Sequence, residues 1–240
     1  MKRTLLQIVQ NILSDMDSED VNSIGDSVEA QQIASVVQDT FYNMVTTRVI
    51  PEHQQLLKLT SLSSSARPTH FQVPTDVKRI DSISYNVNTT GDYEFKEIKY
   101  VGPLEFLSMI TEGTNVTDVE GGTNFKVHND RMPSFYTSFD DYHIVMDAFD
   151  SSVGNTLTSN NTRAFGSKIP TFSLTDDYTP DIDDVMFPYL IAEAKSTCFS
   201  LFKSGVDQKI EQAARRQKSY MQNDMHRVGS DSKRPQYGRR

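Results

Sequence analysis

Tryptophan is absent from this 240-residue chain, and cysteine occurs once, at Cys198. A single thiol excludes an intramolecular disulfide framework and a cysteine-based zinc site. Its place in a helical apolar run beside Phe199 reads as a buried thiol. Apolar residues are scarce too, at 37% against the usual ~45–50%. Either much of the chain is extended loop, or neighbouring molecules complete the fold. Aromatics at 10% are still too many for a disordered protein. No apolar run approaches the ~20 residues that cross a bilayer. The opening MKRTLLQIVQNIL has the basic start of a signal peptide, but Gln7, Gln10 and Asn11 interrupt it and no small-residue cleavage site follows. It reads as an amphipathic helix. The expectation is a protein made and used in a reducing compartment, or on a particle assembled in one. The sequons at Asn88, Asn115 and Asn160 then mark loops only.

Charge is present, and it is unevenly placed. The chain carries a net −8, yet its end, MHRVGSDSKRPQYGRR, holds Arg227, Lys233, Arg234, Arg239 and Arg240 against Asp231 alone. That excess of four cations leaves the preceding 224 residues at −12. A basic tail suggests nucleic acid, but an acidic body repels it at long range. The other reading is a peptide arm that docks on another protein.

Helical spacing marks both ends of the chain. Leu5, Ile8, Val9, Ile12, Leu13 and Met16 lie on one helix face. An acidic connector follows, and a capping box with Asp26 as cap and Glu29 three residues on predicts the next helix. Ile33, Val37, Phe41, Met44, Val45 and Arg48 share its face, and Pro51 ends it. Near the other end, Asp176, Asp177, Asp181, Asp183 and Asp184 crowd a helix start, where negative charge meets the positive end of the dipole. Met186, Leu190, Ala194, Cys198, Leu201 and Phe202 run down that helix. Ser204-Gly205 breaks it, Asp207 caps a second, and Val206, Ile210, Ala213, Tyr220 and Met221 form a narrower stripe with Arg215, Arg216 and Lys218 outward.

Between these helices the chain reads as antiparallel β-structure. Strands are predicted in QQLLKLTSL, THFQVP, RIDSISYNV (Ile83, Tyr85 and Val87 on one face), YEFKEIKYV, NFKVH, SFYTSF and YHIVMDAF. Gly102-Pro103 opens a brief helix, PLEFLSMI, and TEGTNVTDVEGGT reads as a flexible loop. DSSVGNTLTSNNTRAFG, residues 150–166, reads as the tip of a long projecting hairpin. Its length is near the limit for unstructured loops inside compact domains. The predicted class is α+β in one domain, with 1–51 and 181–228 helical and packed as a bundle, 52–180 β-rich, and 229–240 a flexible basic tail.

Catalytic and metal patterns are poorly matched. Asp15, Asp17 and Glu19 fit positions 1, 3 and 5 of a calcium loop, but Asp20 and Asp26 stand where it needs glycine and glutamate. His53, His70, His128, His143 and His226 never pair at metal-ligand spacing. There is no nucleophile elbow, phosphate-binding glycine loop or zinc-protease helix. Asp140, Asp141, Asp147 and Asp150 are enough carboxylates for a glycosidase pair, but no tryptophan platform accompanies them, and solvated strand ends explain them. In YEFKEIKY, the stretch nearest to a single-strand-binding pattern, two glutamates offset two lysines. The expectation is a protein that is not an enzyme, with no cofactor and no metal.

Three stretches carry a resemblance. They are LLQIVQNILSDM followed by EAQQIASVVQDTFYNMVTTR, then FQVPTDVKRIDSISYN with its Pro-x-Asp turn, then FPYLIAEAKSTCFSLFKSGVDQKIEQAARRQKSYM. Together they cover roughly half the chain, and in this order the layout resembles the head-to-tail adaptors (connectors) of tailed bacteriophages, especially the tail tubular protein A group. The middle is longer than in compact members.

The resemblance implies a virion structural protein at the head–tail interface, assembled in the host cytoplasm. Its partners would be a portal protein, a tail nozzle protein and further copies of itself, usually twelve in a ring. Genomic DNA would pass through the ring's channel without specific binding, and no membrane is involved. Docking to the portal or a neighbouring copy falls to Arg227, Lys233, Arg234, Tyr237, Arg239 and Arg240. The nozzle-facing loop would carry Val153, Asn155, Leu157 and Asn160. Two other readings stay open: a peripheral tail, baseplate or fibre-attachment adaptor using the loop near Asn155, and a nucleic-acid-binding protein using the basic tail.

Overall fold

The computed structural model describes residues 2–88, 91–110, 115–120, 122–203 and 208–223. They form an α+β structure with five α-helices among the described residues. Two compact units divide the chain: one from the residues up to His53 and from Pro170 onward, the other from Gln54–Ile169.

The first unit is helical. Helix α1 (Leu5–Asp15) starts in a reciprocal capping box: the Gln7 amide donates to Thr4 Oγ1, and the Thr4 amide donates to Gln7 Oε1. All six apolar positions predicted for its inner face, from Leu5 to Met16, are buried. Helix α2 (Val28–Thr47) begins one residue later than the sequence suggests. Ser27 caps it by accepting from the Ala30 amide, whereas Asp26 accepts the Asn22 and Ser23 amides and closes the preceding turn. Ile33, Val37, Phe41, Met44 and Val45 are buried as expected.

Helix α4 (Phe187–Phe202) starts after the aspartates instead of among them, and its N-cap Met186 makes no side-chain capping bond. The aspartates serve the connection before it: Asp176 accepts the Ile24 amide, and the Asp181 carbonyl lies 2.6 Å from His53 Nε2. The inner face of α4 is Phe187, Tyr189, Leu190, Ala194 and Cys198, while Leu201, assigned to that face by spacing, is 62% exposed. Helix α5 (Gln208–Asn223) buries Ala214 where the stripe predicted Ala213. The break at Ser204-Gly205 and the cap at Asp207 lie outside the described residues.

Helices from the two chain ends pack together, α1 on α2 and both on α4, with α5 on α4. Lys195 from α4 hydrogen-bonds Asn11 at 3.0 Å and pairs with Asp15, both on α1. Phe172 adds an aromatic plug, 5.1 Å from the Phe41 ring and 4.6 Å from Tyr178, its amide donating to the Tyr42 hydroxyl.

The second unit is an eight-stranded sheet. In chain order its strands are β1 (Gln54–Leu57), β2 (Thr60–Ser61), β3 (His70–Gln72), β4 (Val77–Asn86), β5 (Phe95–Tyr100), β8 (Phe135–Thr137), β9 (His143–Met146) and β10 (Thr162–Lys168). Their order across the sheet is β1-β10-β4-β5-β8-β9-β3-β2. The sheet is mixed, not purely antiparallel, because β5 and β8 run parallel. Its outermost strands, β1 and β2, are consecutive in the chain with only Lys58 and Leu59 between them. Three residue steps span at most about 11 Å. The sheet must therefore curl strongly, and it forms a half-barrel. Leu57, Leu59, Phe71, Ile83, Tyr85, Ile98, Ile144 and Met146 fill its concave side. Helix α3 (Pro103–Met109) sits where PLEFLSMI predicts it, anchored by Phe106 against Val101, Ile110 and Val145.

Two stretches read as loop are strands. Within TEGTNVTDVEGGT, β6 (Asn115–Glu120) pairs with β7 (Thr123–His128) as a two-stranded hairpin, with Gly122 at φ 78° in the turn. The supposed tip at 150–166 does not project. Leu157 is 3% exposed within the core, its amide donates to the Pro68 carbonyl, and its carbonyl accepts the Ser61 hydroxyl. The chain then enters β10, an interior strand paired with β1 on one side and β4 on the other.

Candidate functional site

Side chains with catalytic potential are engaged in holding loops. Asp147 is buried and accepts the Ser134 and Phe135 amides at 2.8 and 2.9 Å, with Arg131 Nη2 at 3.3 Å. It clamps the entry to β8. Asp140 accepts the Tyr142 and His143 amides and lies 2.7 Å from His143 Nδ1. Burial works against its ionisation, but the His143 and Tyr142 hydrogen bonds prevail and hold its carboxyl below the usual range. Asp150 is likewise held low by the Ser152 hydroxyl and amide. Asp141 is an exposed turn residue at φ 62°. Asp140 and Asp141 thus share one turn, and Asp140, Asp147 and Asp150 each hold nearby backbone amides.

The remaining candidates follow the same pattern. His53, His70 and His128 are buried and His143 is partly exposed, and among the described residues no group of three histidines, cysteines or carboxylates could hold a metal ion. In the acidic connector, Asp15 pairs with Lys195 and Glu29 accepts the Ser18 hydroxyl. Cys198 is buried, and that burial, with Glu29 nearby, pushes its thiol up to about 12. Among the described residues no helix is long and apolar enough to cross a membrane.

Among the described residues, two grooves of similar size cut the helical unit, beside a smaller one at Ile24 and Leu174. One, about 810 Å³, runs past Phe187, Ile191, Phe199 and Ile210 and carries Asp15 and Lys195. The other, about 840 Å³, is floored by Met44 and Tyr189, with Asp39, Glu193, Arg48 and Lys218 around it. Arg48 stands 5.9 Å from the Tyr189 ring centroid. Burial, then the nearby Glu193 charge, raises the Tyr189 phenol above its ordinary value. Charges of both signs line both grooves, which suits a protein surface better than a single polyanion.

The sheet unit presents the most distinctive surface. On the convex side of β5 and β10, the Arg163 guanidinium lies 3.6 Å from the Phe95 ring centroid, and Tyr93 stacks on Phe95 at 5.9 Å and 22°. Beside them Leu56 faces Phe165 across the β1–β10 register, and the two are 74% and 38% exposed. Arginine and large aromatics are the residue types that carry interface energy.

The chain matches no protein-family model and no curated protein.

Of the residues assigned to docking, Arg227, Lys233, Arg234, Tyr237, Arg239 and Arg240 lie outside the described residues. The four loop residues differ in exposure. Val153, Asn155 and Asn160 are exposed, whereas Leu157 points into the core. Sequence reasoning missed the Arg163–Phe95–Tyr93 stack because Arg163 fell in a stretch read as loop. The signal was present: Arg163 and Phe165 alternate with Ala164 and Gly166, a period-two pattern with small residues inward.

Proposed function

We propose that this chain is a structural head-to-tail adaptor of a tailed bacteriophage, joined in a ring beneath the portal, with the genome passing through its channel. One observation carries the reading. Helices from both chain ends pack together, while the middle folds as a curled sheet, in the order the resemblance implies. The engagement of Asp140, Asp147 and Asp150 in loop clamps supports a role without chemistry.

In this role the β-rich unit meets the tail nozzle protein, with Val153, Asn155 and Asn160 at its exposed turn. The helices act as the bundle that supports the ring, and the basic residues from Arg227 to Arg240 dock on the portal. The acidic body faces the phosphate backbone and leaves DNA free to slide. Sedimentation of the purified protein alone and mixed with portal rings tests the proposal. Co-migration with portal, lost on deleting Gly229–Arg240, is the expected result. A protein that never co-migrates with portal overturns it.

A further inference from the structure

The groove at Ile24 and Leu174 differs from the other two in charge. It encloses about 620 Å³ between the turn at 23–25, residues 31–35 of α2 and the segment 174–177. Ile24 and Ala34 are its buried floor, and Leu174 stands at its rim, 49% exposed. Val28, 71% exposed, lies three residues before Gln31 and seven before Ser35, and so shares their helix face. The charged residues lining the groove are Asp176, with one oxygen on the Ile24 amide, and the exposed Asp177. No lysine or arginine occurs in residues 4–47 or 169–194, where seven and six carboxylates fall, and every lining residue belongs to one of these stretches. The cations that bound them are placed elsewhere. Arg3 and Lys195 line the first groove, Arg48 lines the second, and Lys168 bonds Asp76.

We propose that the basic segment from Arg227 to Arg240 docks in this groove of its own chain. Charge selects the occupant: the segment is the most cationic stretch of the sequence, and the groove lies where the helical unit holds carboxylates and no cation of its own. Apolar surface fits as well, since Tyr237 supplies a ring that can cover Leu174 and Val28. Reach is sufficient. Helix α5 runs to Asn223, and the 17 residues after it span at most about 60 Å, against roughly 35 Å across a compact unit of this size. Tethering sets an effective concentration on the order of millimolar, so a few weak contacts hold the segment in place. The inference rests on the adaptor reading for its purpose alone: the arm assigned to the portal stays covered until portal competes for it.

The absence of tryptophan provides the test. Tyr237→Trp gives the full chain a single indole, and acrylamide quenching reports whether the groove covers it. An unchanged melting transition checks the fold of every variant. The indole is expected to be shielded, equally at nanomolar and at hundred-micromolar protein, and to be released at about 1 M salt, where the Debye length is ~3 Å. Adding Asp177→Arg or Leu174→Arg removes the shielding, whereas Asp39→Arg, in the second groove, leaves it intact. An indole quenched as fully as in the urea-unfolded chain overturns the inference, and so does shielding that survives Asp177→Arg. Shielding that appears only at high concentration would assign the groove to a second copy and overturn docking within one chain. Equal loss in Asp39→Arg would mean that overall charge, not this groove, holds the segment. No portal enters the experiment, so failure here is distinguishable from failure of the adaptor reading.

Discussion

At the scale of single residues, Gly166 shows why β10 is so poor in apolar side chains. It lies at a register shift against β4, and a Cβ there would stand 2.2 Å from the Arg79 carbonyl oxygen and 2.9 Å from the Ile80 Cα. Both are backbone atoms and cannot step aside. Gly166→Ala is expected to cost at least about 2 kcal/mol, in the range of overpacking and strand distortion, seen as a lower urea midpoint; an unchanged midpoint would contradict this. Lys168, at the end of the same strand, bonds Asp76 at 2.7 Å. That hydrogen bond, against slight desolvation, holds the Asp76 carboxyl below its ordinary value. Because the folded value is the lower one, the stabilisation is present above about pH 4 and is lost as pH falls through it. Lys168→Met should therefore lower stability near neutrality, by less than about 1 kcal/mol for a solvated pair, and the gap should close on acidification. A gap of equal size at pH 2 would refute the assignment. The raised thiol of Cys198 gives a further check. It should resist alkylation in the native protein and react freely in urea, whereas rapid native labelling would show that the helix packing is looser than described.

At the scale of elements, the helix termini are the most direct targets. Ser27 supplies a side-chain acceptor for the Ala30 amide at 3.1 Å, so Ser27→Ala should lose about 1 kcal/mol by denaturant titration. Asp26→Ala removes a different thing, the turn that binds the Asn22 and Ser23 amides, and the two losses should not be interchangeable. Helices α1 and α2 were legible because their apolar residues follow the helical period over several turns, as Ile33, Val37, Phe41 and Met44 do. The start of α4 was not. Five aspartates suggest a helix terminus, but Asp176 is committed to the Ile24 amide and the helix waits for Phe187. Strands with alternating large side chains, such as Ile83 and Tyr85 in β4, were equally plain. β10 was hidden because its inward positions are Ala164 and Gly166, too small to register as a hydrophobic face. The candidate surface suffered for the same reason: it unites Phe95 with Arg163, and only the β10–β4–β5 pairing brings them together.

At the scale of the whole molecule, a low apolar content goes with a chain that leaves Leu56, Leu104 and Phe165 exposed. In the proposed adaptor role, the acidic residues before the tail would leave a genome unbound in the channel. Changing aspartates mapped to the channel wall into lysine should slow genome ejection without blocking assembly, because added cations grip phosphate; unchanged ejection would mean that the wall charge is immaterial. The central claim is a place, the junction between head and tail. Electron cryo-microscopy of the purified virion neck measures it directly. The account predicts a closed ring of this chain directly beneath the portal, its curled sheets toward the tail. A neck without it, or density for it only at the periphery of the tail, would contradict the account.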